Sequence, residues 1–144
     1  MSTALPPPSP TAAQVGGKAA VLLDLERAGF RVPPFAVSPA DLKATVERLG
    51  FPIAVRSSAT CEDGKRSSFA GQFESILRLE TLEHVEAAVE QVRASASAPS
   101  VLEYCKKSGI DPASVRMEVI VQRMLRPVLA GVAFSVNPVT GAEE

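Results

Sequence analysis

The stretch from Ile53 to Leu79 constrains this chain more than any other. It opens as a strand, with Ile53 and Val55 pointing to one side and Ala54, Arg56 and Ser58 to the other. It then breaks into a polar loop, Ser57 to Ser68, with four serines, Thr60, Gly64 and the charges Glu62, Asp63, Lys65 and Arg66. It resumes as a second strand, Gly71 to Leu79, whose alternation puts Gly71, Phe73, Ser75, Leu77 and Leu79 on one face. Two strands joined this way need only a tight turn. The loop is longer than that, and its hydroxyls, backbone donors and cations are the groups that hold phosphate oxygens. The alternative is a solvated hairpin loop with an exposed arginine, which composition alone favours.

Helices surround this unit. Residues 1–14 carry four prolines among Ser, Thr and Ala and read as a flexible tail, leaving residues 15–144 as one compact domain. A first helix is expected from Gly17 or Lys18 to Ala28, with Val21, Leu22, Leu25 and Ala28 as its apolar stripe and Gly29 ending it. Arg31 to Val37 is extended and leads into a short strand. Ser38-Pro39-Ala40-Asp41 starts a second helix, with Ser38 as cap and Leu42, Val46 and Leu49 buried. Thr81 caps a third, in which Leu82, Val85, Val89 and Val92 recur at helical spacing. A fourth runs from Ser100 to Ser108 before Gly109. Arg116 to Leu125 reads as a strand and Leu129 to Val136 as another, turning at Arg126-Pro127. The order of strands and helices gives an α+β fold, a mainly antiparallel sheet with flanking helices.

The totals narrow the function classes. A chain of 144 residues, 46% of them hydrophobic, suits one domain with a real core. A net charge of −1 provides no field to recruit nucleic acid or an anionic membrane. No apolar run approaches the roughly 20 residues of a spanning helix, and the N-terminus lacks the pattern of a secretory signal. Cys61 and Cys105 make no disulfide framework and no metal-site spacing, so a cytoplasmic protein is expected.

Five residues stand out as candidates. Lys18 follows a glycine pair at a helix start, where a cation is mildly unfavourable unless an anion is bound nearby; a plain surface lysine is the alternative. Arg56 sits on a strand expected to be central, so its guanidinium must meet either a ligand or a structural acid such as Glu74 or Glu118. Gly71 would admit a ligand close to the backbone, or mark a bulge, and Ser75 offers a hydroxyl on the same face. Gln122 interrupts the apolar run Val119-Ile120-Val121 and needs a partner, an adenine edge or solvent at an edge strand. His84 lies beside Glu83 and Glu86 on a polar helix face and reads as a solvated histidine.

Arg56-Ser57-Ser58-Ala59-Thr60, followed by Phe69-Ala70-Gly71-Gln72, resembles the signature of the nucleotide-binding domain of phosphoenolpyruvate synthase and pyruvate phosphate dikinase, found also in rifampin phosphotransferases. Gly16-Gly17-Lys18-Ala19-Ala20 through Pro33-Pro34 resembles the family's opening. Val121-Gln122-Arg123-Met124 through Phe134 to Asn137-Pro138-Val139-Thr140-Gly141 resembles its later strand pair. The blocks occur in the family's order. The resemblance implies the first lobe of an ATP-grasp fold. It implies ATP as ligand, with Lys18 and Arg56 on its phosphates, Arg56 also steadying charge during transfer, and Gly71, Ser75 and Gln122 in the nucleotide site. Ser75 stands where the family often has threonine, and the span from Lys18 to Arg56 is shorter than the family's usual one. The magnesium that accompanies ATP is expected on acidic and amide residues of a second lobe, beyond Glu144 in a longer chain or in a partner protein. No metal ligand is assigned within this chain, which is expected to be inactive alone. Two other readings remain open. One is a non-catalytic interaction or regulatory module that keeps the fold; the other is a small phosphotransferase that recruits metal ligands across a homo-oligomer.

Overall fold

A computed structural model describes residues 10–60, 74–134, 136–137 and 139–141. Its centre is a four-stranded sheet in the order β1-β4-β2-β3, with β1 Phe35–Val37, β2 Ile53–Ala59, β3 Ser75–Leu79 and β4 Met117–Arg123. All three pairings are antiparallel. The longest is β2 with β4, in register from Ile53↔Arg123 to Ala59↔Met117. These are the two inner strands. The face with Ile53, Val55, Val119 and Val121 is wholly apolar, whereas the other face mixes Ala54, Ser58 and Ile120 with Arg56, Glu118 and Gln122. The fold is therefore the α+β, antiparallel arrangement that the sequence implies.

The helices are α1 Ala12–Val15, α2 Gly17–Arg27, α3 Leu42–Leu49, α4 Leu82–Ala94 and α5 Pro99–Ser108. The main core lies on the face that presents Ile53, Val55, Val119 and Val121. Against it pack Val46 and Leu49 of α3 and Val85, Ala88, Val89 and Val92 of α4. Their spacing puts them on one helical stripe, and each fully buried valine or leucine stabilises by about 1.5–3 kcal/mol. Thr81 caps α4 by accepting from the His84 amide at 3.2 Å, and His84 itself is exposed. A smaller cluster of Val101, Cys105, Ala98, Ile110 and Val115 seats α5, which ends at Gly109 with φ 66°.

The structure departs from the sequence reading at five points. Ser38 is not the cap of α3. Asp41 caps it, accepting from the Ala44 amide at 2.8 Å, while the Ser38 hydroxyl donates to Glu118 and accepts from the Val119 amide. The stripe of α2 is reversed: Gly17, Ala19 and Ala20 are buried, whereas Val21 is 55% and Leu25 36% exposed. The sheet lies so close to this helix that only small side chains fit between them. Leu79 does not share a face with Ser75 and Leu77. Two steps on β2, Ile53 to Val55, face three on β3, Leu79 to Ile76, with Arg78 at φ 60°, so a bulge turns Leu79 into the core beside Ile76.

The polar loop begins later than Ser57, because β2 continues through Ala59. Thr60 then extends the ladder by exchanging backbone and side-chain hydrogen bonds with Arg116. Finally, no strand follows Arg123 among the described residues. Both edges of β4 are already taken, by β1 and β2, so the segment after it has no place beside it. Val128, Leu129, Val132 and Phe134 are 66–102% exposed.

Candidate functional site

The register of the sheet places most of the candidates on one face. Arg56 stands directly opposite Ser75 on β3 and opposite Ile120 on β4. Gln122 stands opposite Ala54, which puts it diagonal to Arg56, about 7–8 Å away across the strands. Arg56, Ser75 and Gln122 thus project from the face opposite the main core. This is also the face that α2 covers, and α2 carries Lys18.

Lys18 and Arg56 meet in a pocket. It is a shallow hollow of about 270 Å³ lined by Gly17, Lys18, Val21, Leu22 and Arg56. One wall is the first turn and a half of α2, the other is β2. Two side chains that bring positive charge at the start of a helix form a surface that suits an anion. Arg56 is half-buried and forms no ion pair among the described residues. The two acids that could have held it are otherwise engaged: Glu74 accepts from Gln91 Nε2 at 2.6 Å, and Glu118 accepts from Ser38. A half-buried guanidinium without an acid is costly unless something else supplies negative charge.

Gln122 is buried, and its Nε2 donates to the Pro33 carbonyl at 3.2 Å. That bond uses one of two amide protons and leaves the side-chain carbonyl as an acceptor. Gln122 lies beside the Lys18–Arg56 pocket rather than in its lining. Ser75 is exposed at the edge strand. Gly71 and Cys61 lie outside the described residues.

The residues that the sequence reading missed are Ser58 and Gly16. Ser58 was grouped with the loop hydroxyls, but it is fully buried and binds α2 instead of solvent. The signal for it was present: Ser58 is two residues beyond Arg56 on the same strand face, and Gly16-Gly17 with Ala19-Ala20 marks a helix end built for close approach.

Comparison with known proteins bears on this geometry. The family model described as pyruvate phosphate dikinase, AMP/ATP-binding domain, matches residues 39–144. The chain belongs to this family. The match contains Arg56, Gly71, Ser75 and Gln122, and Lys18 precedes it. A phosphoenolpyruvate synthase of Aeropyrum pernix is 41% identical over 92 residues, 64% of this chain and 11% of that protein. A rifampicin phosphotransferase of a Streptomyces species is 41% identical over 88 residues, 61% of this chain and 10% of that protein. The phosphoenolpyruvate synthase of Escherichia coli is 40% identical over 107 residues, 73% of this chain and 13% of that protein. The chain therefore spans about a tenth of the length of the relatives it matches. Among the described residues no helix is long and apolar enough to cross a membrane.

Proposed function

We propose that this chain is the ATP-binding lobe, of ATP-grasp type, of a phosphoenolpyruvate-synthase-like phosphotransferase. The observation that carries the reading is the convergence of Lys18 and Arg56 on one pocket, with Arg56 unclaimed by any described acid. In this reading the phosphates of ATP lie over the α2 N-terminus, between the two cations. Arg56 holds phosphoryl oxygens through its forked donors and offsets the charge that builds on them during transfer. Ser75, opposite Arg56, adds a hydroxyl, and the free carbonyl of Gln122 receives a donor from the base. Gly71, outside the described residues, is assigned to the same nucleotide site.

Phosphoryl transfer depends on positioning and a metal more than on covalent help from the protein. The reading assigns magnesium to a second lobe, in a longer chain or a partner protein. The exposed side chains of Leu125, Val128, Leu129, Val132 and Phe134 support a covering partner, and the far greater length of the relatives supports a longer chain. Residues 15–144 form the lobe, residues 1–14 lead into it, and the protein works in the cytoplasm.

Titration calorimetry with Mg-ATP tests this assignment. The chain alone binds weakly, since half of the nucleotide's surroundings belong to the second lobe, and it releases no phosphate. Submicromolar binding by the monomer, or steady phosphate release that tracks it through purification, would overturn the half-site.

A further inference from the structure

A single side chain ties the helix that carries Lys18 to the strand that carries Arg56. The Ser58 hydroxyl donates to the Val15 carbonyl at 2.9 Å and accepts from the Ala19 amide at 3.0 Å. Val15 ends α1 and Ala19 is the third residue of α2, so this one hydroxyl closes both sides of the junction at Gly16. The first amides of a helix have no partner within it, and a capping side chain normally accepts from one of them. Here the residue at the cap position is Gly16, which has no side chain, and the sheet supplies the acceptor through Ser58.

The fit leaves no room for a larger residue. Gly16 has φ 78°, and a Cβ there would lie 2.3 Å from the Ser58 carbonyl oxygen and 2.4 Å from its Oγ. Only glycine adopts this backbone freely and permits this approach. Ser58 is fully buried and lies two residues beyond Arg56 on the same face. Lys18 lies between the two hydrogen-bonded positions, Val15 and Ala19.

We infer that Ser58 is a positioning residue of the nucleotide site: its hydroxyl, seated against Gly16, fixes the N-terminus of α2 so that Lys18 and Arg56 meet the same polyphosphate. The inference rests on the proposed ATP site. It explains why a serine on the same face as Arg56 gives its hydroxyl to the helix backbone. A second tie, from the Arg116 guanidinium to the Ala13 carbonyl at 3.1 Å, also holds α1, so loss of the Ser58 hydroxyl loosens the junction without releasing it.

The test is ATP affinity, read from amide shifts in an NMR titration up to millimolar ATP. The proteins are wild type, Ser58→Ala, Gly16→Ala, Lys18→Ala and the double variant Lys18→Ala/Ser58→Ala. Val92→Ala, in the core on the opposite face, serves as a destabilised control. Ser58→Ala weakens ATP binding about fivefold, the effect of one hydrogen bond, and Gly16→Ala does the same by displacing the junction. Added to Lys18→Ala, Ser58→Ala costs less than roughly twofold more, since it acts through Lys18. Val92→Ala lowers the melting temperature and leaves affinity unchanged. Wild-type affinity in both Ser58→Ala and Gly16→Ala overturns the inference. So does a full fivefold loss in the Lys18→Ala background, or an equal loss in Val92→Ala. If Ser58→Ala does not fold, Ser58→Cys, which keeps a side chain of similar size and weakens both hydrogen bonds, decides the matter alone and combined with Lys18→Ala. Wild-type affinity in Lys18→Ala removes the ATP site itself and this inference with it, a result distinct from the others.

Discussion

Arg56 illustrates how the surroundings of one residue settle what a substitution does. Glu74 and Glu118 each accept a hydrogen bond from a neutral side chain, and neither pairs with Arg56 among the described residues. Removing the guanidinium strands no buried carboxylate. Arg56→Ala should therefore leave the melting temperature unchanged or raise it, because a half-buried charge without a ligand burdens the fold. The same variant should lose about 1.5–3 kcal/mol of ATP binding, the strength of a charge-assisted contact. Thermal melts with and without Mg-ATP check both halves. A fall in stability of several kcal/mol without nucleotide, with the ligand-induced shift intact, would make Arg56 half of a structural pair and take it out of the site. From sequence alone these outcomes could not be ordered, since the competing acids were named but their partners were not visible.

At the scale of elements, periodicity located the helices and strands, and close packing decided the rest. The stripe of α4 was legible because it meets a broad apolar sheet face, where large side chains are needed. The stripe of α2 was misread because the other sheet face presents Ala54 and Ser58, both small and buried. Ala19→Leu should accordingly destabilise by about 1–3 kcal/mol through overpacking, whereas Leu25→Ser, on the side the sequence marked as buried, should stay within about 0.5 kcal/mol. Denaturant melts of the two variants distinguish the faces, and the reverse order would restore the sequence-based stripe. Asp41 and Ser38 form a similar pair. Both residue types cap helices, and only the structure shows that Ser38 is engaged by Glu118 and Val119. Asp41→Ala should cost about 0.5–2 kcal/mol and fray the start of α3 in amide exchange. An unchanged exchange profile there would return the cap to Ser38.

For the whole molecule, the two sheet faces divide the work. One face holds the valine-rich core with α3 and α4, and the other holds the small-residue contact with α2 and, at its margin, the two cations. The antiparallel α+β architecture was readable in the sequence, and so was the family. Among the described residues the strand expected at Leu129 to Val136 is not formed, and β4 has no open edge to receive it. The central claim is that the cationic pocket between α2 and β2 receives the phosphates of ATP. Mapping amide shifts while ATP is titrated into the wild-type chain and into the double variant Lys18→Ala/Arg56→Ala tests it most directly. The account predicts changes centred on Gly17, Lys18, Arg56 and Gln122 that disappear in the double variant. Changes that persist in the double variant, or that centre instead on the opposite hollow lined by Ser38, Glu86, Glu90 and Arg93, would contradict it.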